Sequence, residues 1–209
     1  MDALCRSLAG KGLHVRRDWV ESVCNSYLSV SPSPEQLENA VFNTLLVSDM
    51  QAVAEPRLSA LNLNPPVAGQ ARTLPGERLL LQVDGIVNVG DEGDMRQKEG
   101  GRRMLKLHLT DGHQSVYGLE MAPIKQLSVK SKLGLKLVVE SPVLRCGAIM
   151  LTPQNTCVLG GEVCGLPLPT APVVPPVGGA GVGQGVVGQA LPQQQPLVQP
   201  PPPPPLVVQ

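Results

Sequence analysis

Histidine and cysteine are the residue types in this sequence best suited to binding a metal. The histidines are His14, His108 and His113, and the last two flank a single turn signal. Their spacing does not suit a zinc pair, and no cysteine or carboxylate motif completes one. The five cysteines form no Cys-x-x-Cys pair, and their odd number is typical of reduced thiols in the cytosol or nucleus. We therefore expect no metal site.

The sequence gives equally little support for acid–base or nucleophilic catalysis. Asp111 and Glu120 could be posed as a carboxylate pair, but Asp111 belongs to an Asp-Gly turn dipeptide. The sequence contains no Gly-x-Ser-x-Gly, His-Glu-x-x-His or P-loop motif. Gly160 and Gly161 precede an acid and not a Lys-Ser/Thr pair, so we interpret them as structural turn residues. The sequence predicts a protein that is not an enzyme and needs no cofactor.

Binding of single-stranded nucleic acid is a second class of function. Global charge gives no pull toward DNA or an anionic membrane, because 17 basic and 17 acidic residues balance. Tyr117 is the single aromatic residue of the region 77–162, whereas stacking supplies about 1–3 kcal/mol per base. A weak basic surface could come from Lys125, Lys130, Lys132, Lys136, Arg102 and Arg103. We interpret these six as solvated surface and keep weak nucleic-acid contact as the alternative.

The elements that would position a site fall into a helical region and a β region. Residues 2–62 predict three short helices with one apolar face each. Asp2–Leu8 forms the first, Asp18 caps or opens the second, and Ser33-Pro34 opens the third. About sixty residues bury only a thin core, so we expect this bundle to pack against the β region.

The β region, residues 77–162, predicts five short strands. The first strand is ERLLLQVDGIVNV, with Gly85 as a bulge or bend. A hairpin joins RRMLKLHLT to QSVYGLE through Asp111-Gly112, a dipeptide that tolerates the positive φ angles of a type I′ turn. The fourth and fifth strands are LGLKLVVES and VLRCGAIMLT. This plan favours an OB-fold barrel, with a β-sandwich as the alternative.

The fold class expected is therefore α+β, a small three-helix bundle packed on a five-stranded OB-fold β-barrel. We place the bundle at residues 1–62, a connector at 63–76, the OB-fold at 77–165 and a tail at 166–209. The tail is rich in Pro and Gly and carries no charge, so it is expected to be disordered, as a solvated end or as a ligand for an SH3-type groove. The N-terminus lacks the apolar core of a signal peptide, and no apolar run of about 18 residues predicts a membrane span.

One loop of the β region stands out by its length and polarity. Gly90–Gly101 is too polar to pack inward and long for a barrel connection. Long loops on rigid scaffolds often carry function, although a mobile tip without a role has the same signature.

Several motifs in fixed order resemble one known family. They are RMLKLHLTDG, GLEMAPI, RCGAIMLTPQN and VLGGEV in the β region, with VRRDWVESVCNSYL and VFNTLLVSDM among the helices. They are similar to the N-terminal region of the RecQ-mediated genome instability protein 1 family, and the resemblance covers about residues 11–163. The resemblance implies a nuclear, non-catalytic scaffold for topoisomerase III alpha in a complex with a Bloom-type RecQ helicase. It further implies a role in dissolving double Holliday junctions, which limits crossovers in homologous recombination.

In that family the loop between the first two barrel strands reaches the topoisomerase. In this sequence the corresponding loop is Gly90–Gly101. The expected contact residues are Asp91, Met95, Arg96 and Lys98, with Met95 as an apolar anchor on a polar loop. The loop is shorter than in vertebrate members and closer in length to the related region of Tudor domain-containing protein 3, which pairs with topoisomerase III beta. Both isoenzymes therefore stay open as partners.

Overall fold

The computed structural model describes residues 1–27, 32–63, 70–90 and 102–164. The tail expected over residues 166–209 lies outside these ranges. The helices of the described part are α1 (Asp2–Gly10), α2 (Arg17–Tyr27), α3 (Pro34–Val47), α4 (Met50–Val53) and a 3-10 helix (Leu58–Ala60). None of them is both long and apolar enough to cross a membrane.

The prediction of three helices was too low by one. α4 is a single turn that Asp49 caps, since its side chain accepts the backbone N–H of Gln51 at 3.0 Å. A four-residue helix is too short to show an apolar period, so only its cap marks it in the sequence. The start of α3 was predicted correctly: Ser33 and Gln36 form a capping box, and Pro34 opens the helix.

The bundle core is continuous with part of the β-sheet. Val20 and Cys24 of α2 lie against Val41 and Leu45 of α3, and all four are buried. The same apolar cluster takes in residues of the sheet, and its members from outside α2 and α3 are Leu8, Leu13, Val15, Met50, Val53, Ala54, Leu80 and Val138. The helices are therefore packed on the barrel as expected, because they share one core with it.

The sheet contains eight described strands, which corrects the prediction of five. They are β1 (Arg72–Thr73), β2 (Arg78–Asn88), β3 (Leu105–Thr110), β4 (Ser115–Glu120), β5 (Leu135–Glu140), β6 (Val143–Arg145), β7 (Ala148–Leu151) and β8 (Thr156–Gly160). Their order is β1-β6-β7-β4-β3-β2-β5-β8, and β4 and β7 are the parallel pair in an otherwise antiparallel sheet. β7 pairs with β4 and β8 pairs with β5, so the continuous segment from β7 to β8 connects the two edges of the central β4-β3-β2-β5 sheet.

The three additional strands were missed for different reasons. The segment predicted as one fifth strand is a hairpin, β6 and β7, which turns at Cys146 and Gly147 with φ angles of 50° and 73°. Positive φ at both central residues is the type I′ geometry, and cysteine is not a usual turn former. β8 was read as a closing segment, and the two-residue β1 lies in the expected connector.

The bulge predicted at Gly85 is confirmed. The register between β2 and β3 shifts between Val83 and Gly85, which leaves Asp84 as the extra residue. Before the bulge Leu79, Leu81 and Val83 point into the barrel, and after it Ile86 and Asn88 do. The barrel core is aliphatic, as the low aromatic content predicts, with eighteen buried Leu, Val and Ile residues.

Candidate partner-binding site at the stem of the β2–β3 loop

The two ends of the loop between β2 and β3 are tied together by hydrogen bonds. The Val89 backbone N–H donates to the Met104 carbonyl oxygen at 2.8 Å. The buried Asn88 side chain accepts the backbone N–H groups of Gly90 and Met104 through Oδ1, at 3.1 and 2.9 Å. A Cβ atom at Gly90 would collide with the Arg102 carbonyl group, so glycine is required for this close approach. The chain therefore leaves and re-enters the barrel at one fixed point.

An ion pair between the partly exposed Arg103 and the buried Glu120 holds the returning strand in place. The Arg103 guanidinium contacts both carboxylate oxygens of Glu120, at 3.0 Å from Nε and 2.6 Å from Nη2. Nη2 also donates to the carbonyl oxygens of Ile124 and Leu127. The carboxylate in turn accepts the N–H groups of Leu105 and Ile124. Glu120 is only 2% exposed, and a planar guanidinium fork meets this arrangement where a lysine would not. These contacts give Glu120 a structural role at the start of β3.

The predicted contact residues of the loop, Asp91, Met95, Arg96 and Lys98, lie outside the described residues. Their flanking positions, Gly90 and Arg102, are the last and first described residues on either side. What the structure adds to the loop hypothesis is the rigid stem described above.

Asp111 and Gly112 join the barrel to the helices. Strand pairing ends at Thr110 and Ser115, so the hairpin loop has four residues. Gly112 has a φ of 89° and Asp111 is not among the positive-φ residues, so the predicted type I′ turn is wrong. A Cβ atom at Gly112 would lie 2.5 Å from Gln51 N and Met50 O, which shows how closely the turn packs on α4.

The Asp111 carboxylate is buried and accepts four backbone N–H groups. Oδ1 binds those of His113 and Gln114, at 2.9 and 2.8 Å. Oδ2 binds those of Arg57 and Leu58, at 2.9 and 2.7 Å, where the chain passes from the bundle to the barrel. Burial acts to raise the pKa of Asp111, but the four hydrogen bonds outweigh it and the pKa is lowered.

Gly160 and Gly161 end β8 next to the helices. Both have positive φ, at 93° and 92°. Gly161 lies against the Leu46 carbonyl group, which also accepts the Glu162 backbone N–H at 3.1 Å. The pair thus lies where the end of α3 meets the barrel.

Lys136 lies in the barrel wall beneath the helices and is fully buried. This corrects its interpretation as part of a solvated basic surface. Its Nζ donates to the side-chain oxygen of Gln82 at 3.0 Å and to the Gly134 carbonyl oxygen at 2.7 Å. Burial lowers the pKa of Lys136 to about 8, against the opposing effect of Asp49 and Asp84.

Gln82 links this lysine to both layers. Its side-chain oxygen also accepts the Met50 backbone N–H at 3.1 Å, and its amide donates to Asp84 Oδ1 at 2.8 Å. Burial raises the pKa of Asp84, and the Gln82 hydrogen bond opposes that rise. We call Gln82, Lys136, Asp111, Gly112 and Gly161 the seam between helices and barrel.

The histidines are dispersed. His108 lies on β3 with its ring 5.8 Å from that of Tyr117, and His113 Nε2 is 3.3 Å from the Ala54 carbonyl oxygen. Over the described ranges, no group of three or more His, Cys, Asp or Glu side chains is placed to hold a metal ion.

A protein-family model described as "RMI1, N-terminal OB-fold domain" matches residues 44–168, which is more than half of the chain. The chain belongs to this family. The resemblance drawn from its motifs is thereby confirmed, and so is the OB-fold. The match begins within α3, so α1 and α2 precede the region that the family model covers.

Relatives of this RMI1-type chain carry two names. It is 35% identical over 164 residues to RecQ-mediated genome instability protein 1 of Arabidopsis thaliana, covering 75% of this chain and 25% of that protein. Against the protein of the same name from Oryza sativa subsp. japonica, identity is 34% over 159 residues, covering 74% and 19%. Tudor domain-containing protein 3 of Danio rerio is 27% identical over 161 residues, covering 77% and 21%. The chain thus spans a quarter or less of the length of these relatives.

Sequence reasoning missed the stem and the seam of this RMI1-type domain. In the sequence, Asn88 is an ordinary polar residue near the end of the first strand, and Arg103 is interpreted as part of a solvated surface. A local signal exists for Asn88, because an asparagine at a strand end commonly accepts the backbone N–H group two residues further on, which here is that of Gly90. No local signal exists for Arg103, whose partners lie 17 to 24 residues away.

Proposed function

We propose that this chain is a non-catalytic adaptor that binds a type III topoisomerase and modulates its action within a RecQ helicase complex. In this role it promotes the dissolution of double Holliday junctions, limits crossovers in homologous recombination, and acts in the nucleus. Membership of the RMI1 N-terminal family and the names of its relatives, RecQ-mediated genome instability protein 1, support this role in genome stability.

The observation that carries the proposal is the stem of the β2–β3 loop. Three backbone N–H groups and the ion pair of Arg103 with the buried Glu120 fix the points at which residues 91–101 leave and rejoin the barrel. A barrel that only needed to connect two strands would not require such a fixed origin. A loop that must reach a defined place on a partner does require it.

In the proposed mechanism the loop binds one conformation of the topoisomerase better than another and so shifts their populations. Asp91, Arg96 and Lys98 supply polar contacts, and Met95 supplies the apolar anchor. A loop with equal affinity for both conformations would bind without any effect on activity. Helices and barrel form the platform from which the loop acts.

The first partner proposed is topoisomerase III alpha. The relatives named RecQ-mediated genome instability protein 1 reach 35% identity over 75% of the chain, against 27% over 77% for Tudor domain-containing protein 3 of Danio rerio. A partnership with topoisomerase III beta is the alternative, which the same experiment separates.

The test compares the intact chain with a variant in which a short Gly-Ser linker replaces residues 92–100. Gly90 and Arg102 stay, because both belong to the stem. Each protein is mixed with purified topoisomerase III alpha or beta, and binding and double-Holliday-junction dissolution with a RecQ helicase are measured. We expect the variant to unfold at the same temperature as the intact chain, to bind the topoisomerase more weakly, and to lose more of its effect on dissolution than of its binding.

A matched control keeps the loop and replaces exposed Lys130 with alanine. This variant should behave like the intact chain in both assays. Full stimulation of dissolution by the loop variant would refute the proposed role of the loop. Failure of the intact chain to bind either isoenzyme would refute the adaptor function itself.

A further inference from the structure

The outer face of the sheet is covered over only part of its width. Leu80 of β2 and Val138 of β5 belong to the apolar cluster of the helices. Among the described residues, the apolar cluster inside the barrel contains one helical residue, Leu58 of the 3-10 helix. The outward side chains of β3, β4, β7 and β6 are half-buried or exposed instead. In the described part of the chain, this half of the sheet is therefore uncovered.

Strand register aligns these outward side chains in two rows. The first row is Lys106, Leu119, Met150 and Val143. The second row is His108, Tyr117, Ala148 and Arg145. We call these two rows, together with Met121 at the end of β4, the methionine face. Three strand spacings of about 4.8 Å make it about 14 Å wide.

The apolar part of the face opens into a groove. Met121, Val143 and Met150 line a groove of about 540 Å³, and Arg145 and Glu140 are also among its lining residues. Met121 is 50% exposed, the largest exposure of any bulky apolar side chain in the described barrel. Methionine is a flexible and polarizable side chain that suits surfaces which receive a partner. Glu140 is already paired with Arg78 at 2.7 Å, so it does not neutralise Arg145.

The charge of the methionine face has one sign. Neither Lys106 nor Arg145 forms an ion pair with another described residue, and the two rows contain no carboxylate. Lys106 Nζ lies 3.8 Å from the centre of the Tyr117 ring. A nucleobase would have to displace that ammonium group to stack on this side of the ring, which disfavours a nucleic-acid strand. Apolar side chains flanked by unpaired cations fit a segment that carries apolar side chains and carboxylates.

We propose that the methionine face docks a segment of a partner protein that carries apolar and acidic side chains together on one side of its extended chain. An extended segment of about five residues spans the 14 Å of the face. Its apolar side chains enter the groove at Met121 and Met150, and its carboxylates pair with Lys106 and Arg145. This contact uses none of the loop residues and does not depend on the topoisomerase partnership.

Methionine methyl NMR tests the proposal on the full chain, because the six methionines report on separate places. Met121 and Met150 lie on the face, Met50 of α4 is fully buried, and Met95 belongs to the β2–β3 loop. The probe is an end-blocked peptide in which pairs of leucines alternate with pairs of aspartates, so that each side of the extended chain carries both residue types. Control probes replace the aspartates with lysines, replace the leucines with serines, or are single-stranded oligothymidylate.

We expect the Leu/Asp peptide to shift the Met121 and Met150 methyl signals in a saturable way and to leave Met50 unchanged. The Arg145→Glu variant should weaken this binding by about tenfold, whereas Lys130→Glu, an equal charge change at an exposed position off the face, should not. Three results would overturn the proposal: no shift at peptide concentrations of about 1 mM, equal binding of the Leu/Lys peptide, or shifts with the oligonucleotide alone. A shift confined to Met95 would also overturn it, without bearing on the loop proposal.

Discussion

Replacement of Asp111 with asparagine removes one carboxylate oxygen from the centre of the seam. Asparagine is nearly the same size, so the change creates no cavity. Its single oxygen serves either the pair His113 and Gln114 or the pair Arg57 and Leu58. Its NH₂ group then faces the other two N–H donors, which cannot accept a hydrogen bond. Two backbone N–H groups at this partly buried site thereby lose their acceptor.

The expected loss of stability follows from these two donors. A buried donor without an acceptor costs about 1–3 kcal/mol, and hydrogen bonds to a charged acceptor are the stronger ones. Two such losses amount to about 3 kcal/mol, because loss of the buried charge offsets part of the penalty. That is a large fraction of the about 5–15 kcal/mol that stabilises a typical domain, and it corresponds to a fall in melting temperature of about 6–12 °C.

The effect also has a pH dependence of known sign. The pKa of Asp111 is lowered in the folded chain. Its contribution to stability is therefore fully present above the unfolded value and is lost as the pH falls through the folded pKa. The difference in unfolding free energy between the intact chain and Asp111→Asn should shrink in acid, below the ordinary value of 3.8.

Urea unfolding at neutral and acidic pH measures both quantities. Far-UV circular dichroism follows the whole fold, and the single tryptophan, Trp19, reports on the bundle cluster. We expect both signals of Asp111→Asn to move together, because the seam couples helices and barrel. Asp18→Asn, at an exposed carboxylate, should change stability by less than about 1 kcal/mol. A loss below about 1 kcal/mol at neutral pH for Asp111→Asn, or a difference that does not shrink in acid, would refute the role given to this carboxylate.

Two further predictions concern the seam. In the intact chain the unfolding free energy should rise by about 1–3 kcal/mol between pH 8 and 10.5, because a folded pKa of about 8 means that folded Lys136 binds fewer protons there than the unfolded chain. Lys136→Met should abolish this rise in pH-dependent urea unfolding, and a rise that persists would show that another group causes it. Gly112→Ala should cost more than about 2 kcal/mol in thermal unfolding, because its Cβ would meet Met50 and Gln51. Gly76→Ala is the matched control, since it has a similar φ of 77° but open space, and equal losses would show that φ alone decides.

Features with local causes could be predicted from the sequence. Ser33 and Pro34 start a helix through contacts within four residues, and Gly85 breaks the register of one strand pair. The turn at Cys146 and Gly147 escaped prediction because cysteine rarely adopts positive φ. The role of Asp111 escaped for a different reason, since its partners at the 3-10 helix lie 53 and 54 residues away. Asp111, which the sequence marks as a turn residue, is also the hydrogen-bond acceptor that orders a distant segment.

Lys136 illustrates a general limit of strand patterns. In the segment Leu135–Glu140 the lysine alternates with leucines, which correctly assigns it to the outer face of the barrel. Alternation identifies the face of a strand but not the layer that covers that face. Here the helices cover it, so a residue expected in solvent is fully buried.

The bulge at Asp84 explains why the helices cover only part of the sheet. Before it, Leu80 and Gln82 of β2 face the helices, and after it Val87 aligns with Lys106 in the uncovered rows. A bulge bends and twists its strand, so a layer packed on the first half of β2 diverges from the second half. The stem at Asn88 belongs to that second half. The stem of the loop and the methionine face, the two places proposed to serve partner binding, therefore lie on the part of the barrel that its own helices leave accessible.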